Sequence, residues 1–169
     1  GKITAYKYLD GMEVFTDAYK FSFKEDLLDK YGILYKTEGT GENAQYVVDE
    51  IDIPSSEVLA YMVKEAFFFD QATGSYQSQV VAICPMLIRM DYYYNTTTSD
   101  PLFWVPYEEI RPYLSRELIM TSNYNNALTY TMDDYFTKRM YTGEIIKTTN
   151  LMNESLAQQV AREQEERQA

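Results

Sequence analysis

The chain of 169 residues contains no histidine and a single cysteine. Without His, the commonest general base and the commonest transition-metal ligand are both gone. A Ser–His–Asp arrangement is impossible for the same reason, and no G-x-S-x-G elbow occurs. One thiol closes no intramolecular disulfide and builds no multi-thiolate zinc site. Cys84 lies in the apolar run VVAICPML, which reads as an inert core thiol rather than a nucleophile. Long apolar runs are missing too, since no stretch reaches the roughly 18 residues of a helical membrane span. Positive charge is scarce: 15 Lys and Arg stand against 26 Asp and Glu, for a net charge of −11. Such a surface repels phosphates and offers no basic stripe, so nucleic acid and anionic membranes are poor partners. Cationic partners or neutral protein faces fit better.

What the chain does have is a large apolar share and many tyrosines. Apolar residues make up 46% and charged residues 24%, enough for one ordinary globular domain with a sizeable core. Aromatics reach 15%, with 17 Tyr. Tyr pairs an apolar body with a polar tip, which suits half-buried sites and interfaces. No internal repeat or low-complexity linker is present. No signal peptide is visible, and the chain opens on Gly1 rather than Met, so a trimmed piece of a longer protein is expected.

The local pattern predicts an α+β fold, a single compact domain with short antiparallel strands and several helices. KITAYKYL (2–9) and MEVFT (12–16) read as a hairpin about the Asp10–Gly11 turn. Ser22 caps a helix with Glu25 at the reciprocal position; Phe23, Leu27 and Tyr31 share a face, and Gly32 stops it. ILY (33–35) and QYVV (45–48) read as short strands. The intervening EGTGENA matches G-x-G-x-x-A, but no helix follows to face a phosphate, so a hairpin loop is preferred to a nucleotide site. IPSSEVLAYMVKEA reads as a helix with a stripe of Val58, Leu59, Met62, Val63 and Ala66. FFFDQ leads into a strand, Gly74 marks a turn, and residues 76–94 form a long β-favouring run bent or interrupted near Pro85. NTTTSD (95–100) reads as a polar loop and PLFWVP (101–106) as a short strand. YEEIRPYL opens a helix that Pro112 limits to a turn or two, and ELIMTS (117–122) reads as one more strand. Thr131 and Asp134 form a capping box for a helix carrying Met132, Phe136 and Met140, stopped by Gly143. GEIIKTTN is an extended link. Residues 1–150 are thus expected to form the core domain, and 151–169 a helical tail.

The paired acids are the natural places to look for chemistry. Asp133–Asp134 and Glu108–Glu109 each open a helix, where acids favour the dipole. Adjacent helical residues point about 100° apart, which makes chelation of one ion difficult. Glu165–Glu166 belong to a solvated tail. A carboxylate glycosidase or a carbohydrate-binding module stays open as an alternative, because 26 acids can meet in space without a local signature. DYYYN (Tyr92, Tyr93, Tyr94) and the neighbouring Phe103–Trp104 read as two faces of a strand, a protein interface or a sugar platform. The NTT and NES sequons carry weight only in a secreted eukaryotic protein.

Several stretches taken together resemble the PorN/GldN family of the Bacteroidetes type IX secretion and gliding machinery. They are YKYLDGMEVFTD, IPSSEVLAYMVKEAFFFD, FWVPYEEIRPYL, SNYNNALTYTMDDYF and YTGEIIKTTN, in consistent order from Lys7 to about Leu156. Members of that family carry a secretion signal and a further N-terminal region. The resemblance implies a non-enzymatic periplasmic subunit without cofactor or metal. It further implies rings formed with the outer-membrane lipoprotein PorK/GldK and coupling to the periplasmic part of PorM/GldM. No catalytic residue is implied. A ring subunit needs at least two contact faces. Tyr92, Tyr93, Tyr94, Phe103 and Trp104 form one candidate face, and Asn123, Asn125 and Asn126 another.

Overall fold

The computed structural model describes residues 3–9, 15–48, 57–91, 93–119, 129–148 and 155–168. Its spine is β5 (Ser75–Asp91), which runs antiparallel to β4 (Val58–Asp70) along the whole of that strand. On its other side β5 meets two strands in succession. β6 (Thr96–Pro101) pairs with Met86–Asp91, and β7 (Phe103–Pro106) pairs at Ala82 and Ile83. β1 (Tyr6–Lys7) adds to β7, giving the order β1-β7-β5-β4 with β6 beside β5. Pro85 falls where the neighbour changes from β7 to β6. Its carbonyl accepts from Leu102 N at 3.0 Å, so its own side of the strand faces that gap, and the missing N–H breaks no ladder there. The strand therefore continues through Pro85 rather than ending at it.

Two layers cover the lower part of this sheet. On one face, Val80 and Ile83 pack with Tyr107 of α1 (Tyr107–Leu114) and Phe136 of α2 (Met132–Thr137), joined by Val63 and Tyr141. On the other, Ala82, Cys84 and Trp104 pack with Tyr6, Tyr8, Phe15 and Met62. Alternate residues of β4 thus serve opposite layers, as a strand requires. Cys84 is fully buried, and burial pushes its thiol up to about 12. A third cluster of Leu27, Leu28 and Ile33 sits under the hairpin of β2 (Tyr35–Glu38) and β3 (Gln45–Val48). Leu118–Ile119 (β8) and Tyr130–Thr131 (β9) make a small separate pair, and α3 (Leu156–Gln168) closes the described chain.

The α+β fold is as the sequence predicts, and several elements differ. The expected helix at 54–66 is β4 from Val58 onward, and Ile53–Ser56 lie outside the described residues. Its apolar stripe fits a 3.6 period, but Val, Tyr and Phe favour a strand, and the register of twelve of its residues on β5 decides it. NTTTSD is not a loop: Thr96–Asp100 extend along β5, as β-branched Thr on a polar edge can. β1 pairs with β7 and bridges Lys20, while Phe15 and Thr16 form no strand; the Asp10–Gly11 turn and residues 12–14 lie outside the described residues. Ser22 does cap the helical segment Phe23–Asp29, but Asp26 rather than Glu25 returns the bond, its carboxylate accepting from Ser22 N at 2.8 Å. That segment is π-helical, and the wider turn brings the next residue into place. Phe23 is exposed, and the buried pair is Leu27 and Leu28. The loop between β2 and β3 is a hairpin loop holding a single 3-10 turn, Gly41–Asn43, and strand resumes at Gln45, so the dinucleotide pattern opens no α-helix. After α2 the chain turns at Arg139, with φ +49°, four residues before Gly143.

Candidate interaction surface

The paired acids are held by structural bonds. Asp134 accepts from Thr131 N at 3.0 Å, and Thr131 Oγ1 accepts from Asp134 N at 3.1 Å, completing the capping box. Lys138 bonds the same carboxylate, and with Thr131 it lowers the Asp134 carboxyl to about 2. Asp133 does more than favour the helix dipole. Its carboxylate accepts from the Tyr107 hydroxyl at 2.6 Å and pairs with Arg111 at 3.3 Å, tying α2 to α1. Burial, then this bond, raises the Tyr107 hydroxyl far above its ordinary value. Glu109 accepts from Thr4 N at 2.6 Å, and Glu108 pairs loosely with Arg111. These two glutamates line a broad open cavity of about 820 Å³ with Ile3, Thr4, Pro112, Tyr113 and Arg116. Being adjacent in the first turn of α1, they do not face one another across it.

The predicted aromatic face divides. Trp104 is 3% exposed, inside the cluster with Ala82 and Cys84, because β7 sits between β1 and β5 rather than at an edge. Phe103 is half-buried, its ring 4.6 Å from that of Phe21. Trp104 is therefore enclosed within the chain, which corrects the expectation that its ring is exposed, while Phe103 keeps part of its surface open. Tyr93 and Tyr94 are exposed in the turn between β5 and β6, where Asn95 adopts φ +49°. Tyr92, Asn123, Asn125 and Asn126 lie outside the described residues.

A larger aromatic surface lies on the strand into which FFFDQ leads. Past Glu65 and Val80, every residue of the β4–β5 hairpin from 66 to 79 is exposed, except Asp70 and Ser78, which are half-buried. This arm carries Phe67, Phe68, Phe69 and Tyr76, with exposures of 45% to 81%. Strand alternation puts Phe67 and Phe69 on the face that carries α2 lower down, and Phe68 on the opposite face. Phe69 and Tyr76 are register partners, their rings edge to face at 5.2 Å. The turn at the end is well braced. Asp70 accepts from Ala72 N, Thr73 Oγ1 and Gln77 Nε2 at 2.9, 2.9 and 3.1 Å, and the bonds from Thr73 and then Ala72 lower its carboxyl. Asp70 is the arm's sole charged residue, in a chain whose net charge is −11. Rigid exposed aromatics with little charge are the composition of interface anchors. FFF beside Gly74 gave the signal for this surface, but not for its exposure.

Among the described residues no helix is long and apolar enough to cross a membrane, and no three acidic or thiol side chains gather as a metal site. No curated protein matches the chain. The family model of the gliding motility associated protein GldN matches it over residues 1–169. That match spans every element described above, including the aromatic arm. The chain belongs to the GldN family of gliding motility associated proteins.

Proposed function

We propose that this protein is a non-enzymatic structural subunit of the periplasmic type IX secretion and gliding machinery. In this reading it forms a ring complex with the outer-membrane lipoprotein PorK/GldK and couples to PorM/GldM, and the β4–β5 arm is one of its contact faces. The observation that carries the reading is the arm itself: three phenylalanines and a tyrosine held out on a braced hairpin that bears one charge. Exposing that much aromatic area to water is unfavourable, at about 25 cal/mol per Å², and a protein partner removes the penalty. Family membership supplies the setting, gliding motility. The acids described above serve caps and helix contacts, which leaves the arm as the strongest feature for recognition.

The test is co-purification with the ring lipoprotein, using this chain and a longer form of the protein. The unaltered protein is expected to be retained, and the double variant Phe68→Ala, Phe69→Ala to lose at least tenfold in affinity, as central aromatic anchors do. Retention of the variant at full affinity would remove the arm from the contact. Failure of both unaltered forms to associate would remove the ring assignment.

A further inference from the structure

The arm leaves the body of the protein at a defined joint. Lys64 faces Ala82 and Glu65 faces Val80, so Val81 is the extra residue of a bulge at the point where covering layers end. Glu65 stands at that step with its side chain only 13% exposed. Its carboxylate is gripped from the segment that follows α2. Arg139 reaches it with Nε at 2.8 Å and Nη2 at 3.2 Å, and the Tyr141 hydroxyl donates to it at 2.7 Å. Two-pronged guanidinium–carboxylate contacts fix orientation as well as distance. The Arg139 guanidinium also lies 5.5 Å above the ring of Phe67, the first aromatic of the arm.

The gripping segment is itself rooted at both ends. Arg139 takes a left-handed conformation, φ +49°, at a cost on the order of 1 kcal/mol. That turn directs the chain back across β4. Met140 N donates to Tyr135 O at 2.9 Å, and the Tyr141 ring packs 5.9 Å from both Tyr135 and Phe136. Burial, then Glu65, pushes the Tyr141 hydroxyl up to about 12. Further on, Lys147 bridges Ser155, and Leu156 N donates to Ile146 O at 3.1 Å where α3 begins.

We propose that Glu65 is a coupling joint, through which Arg139 and Tyr141 make the aromatic arm and the segment leading to α3 tighten or loosen together. Its use in the machinery rests on the arm being a contact face, but its existence does not. Linkage makes such coupling reciprocal. A partner that holds the arm steadies residues 140–148, and anything that holds the C-terminal segment steadies the arm.

Amide hydrogen exchange on the full chain, without any partner, tests this. Arg139→Ala is expected to raise exchange of protected amides in residues 66–79, roughly three- to tenfold, as loss of a charge-assisted bond does. Phe67→Ser is expected to raise exchange in residues 140–148 by a similar factor, although it lies on the arm. Tyr141→Phe removes one bond and keeps the packing, so a smaller rise in residues 66–79 is expected from a variant that retains the fold. Amides of residues 82–87 should not change in any of them. The joint is overturned if either segment ignores substitutions in the other, or if residues 82–87 accelerate equally. Either result leaves the ring-lipoprotein test unaffected.

Discussion

In the lower half of the β4–β5 hairpin, Val63, Val80 and Ile83 lie under Tyr107 and Phe136, while Met62, Ala82 and Cys84 lie with Trp104 on the opposite face. In the upper half, Phe67, Phe68, Phe69 and Tyr76 are at least as apolar, and all are exposed. β4 pairs antiparallel with β5 through both halves, and the register shifts at the bulge between them and again between Val58 and Ala60. Hydrophobic residues on a strand therefore do not by themselves make a core; a second layer does, and toward the arm it stops at Glu65 and Val80, while Leu59 and Tyr61 near the start of β4 are also open. The lower half is where burial supplies stability. The upper half keeps four large aromatic side chains without that gain, which is the expected distribution if a different molecule provides the cover.

Truncation in the covered half should give the largest effect. Ile83→Ala removes a side chain that is 5% exposed among Val80, Tyr107 and Phe136, and is expected to cost about 2–5 kcal/mol in chemical denaturation. A loss under 1 kcal/mol would mean that the helix layer is poorly packed and that the contrast between the halves is false. A smaller effect is expected at the edge of that layer. Thr131→Ala takes away the hydroxyl that caps α2, and about 1 kcal/mol of stability with it. The same box gives an acid dependence. The Asp134 carboxyl is held at about 2 by Lys138 and Thr131, below its ordinary 3.8. Its contribution is therefore complete above about pH 4 and fades as pH falls towards 2. In Thr131→Ala this acid limb should shrink, measured as the difference in midpoint between pH 5 and pH 2.5.

How far the sequence reveals this depends on whether the deciding interaction is local. Thr131–Asp134 and Gly32 are set by three or four neighbouring residues, and both are where the sequence puts them; Gly32 has φ +64°. The β2–β3 hairpin is equally local, with strands four residues long and a glycine-containing loop, although β2 runs over Tyr35–Glu38 and not over 33–35 as its apolar run suggested. By contrast, Val58–Ala66 satisfies a helical stripe and a strand alternation at once, and the choice is made by β5, which starts nine residues later in the chain. NTTTSD has no apolar residue to suggest a strand, and pairing along β5 supplies one. For the candidate surface the gap is of another kind. Phe67–Phe69 and Phe103–Trp104 are equally aromatic in sequence, yet Trp104 is enclosed between two strands and Phe67 is not. Composition says that a ring wants cover; only the arrangement of layers says which ring lacks it.

The sharpest contrast with Ile83→Ala comes from a substitution that should hardly matter. Tyr76→Thr replaces a ring that is 81% exposed with a β-branched residue, so strand preference is preserved. It loses the edge-to-face contact with Phe69, worth about 1 kcal/mol or less at an exposed pair. Denaturation of the isolated protein should therefore shift by no more than that amount. A cost equal to that of Ile83→Ala would show that the upper half is already covered within this chain, and the arm would then be ordinary core. If the cost stays small while affinity for the ring lipoprotein falls, the two halves separate cleanly: one carries the fold, and the other carries recognition.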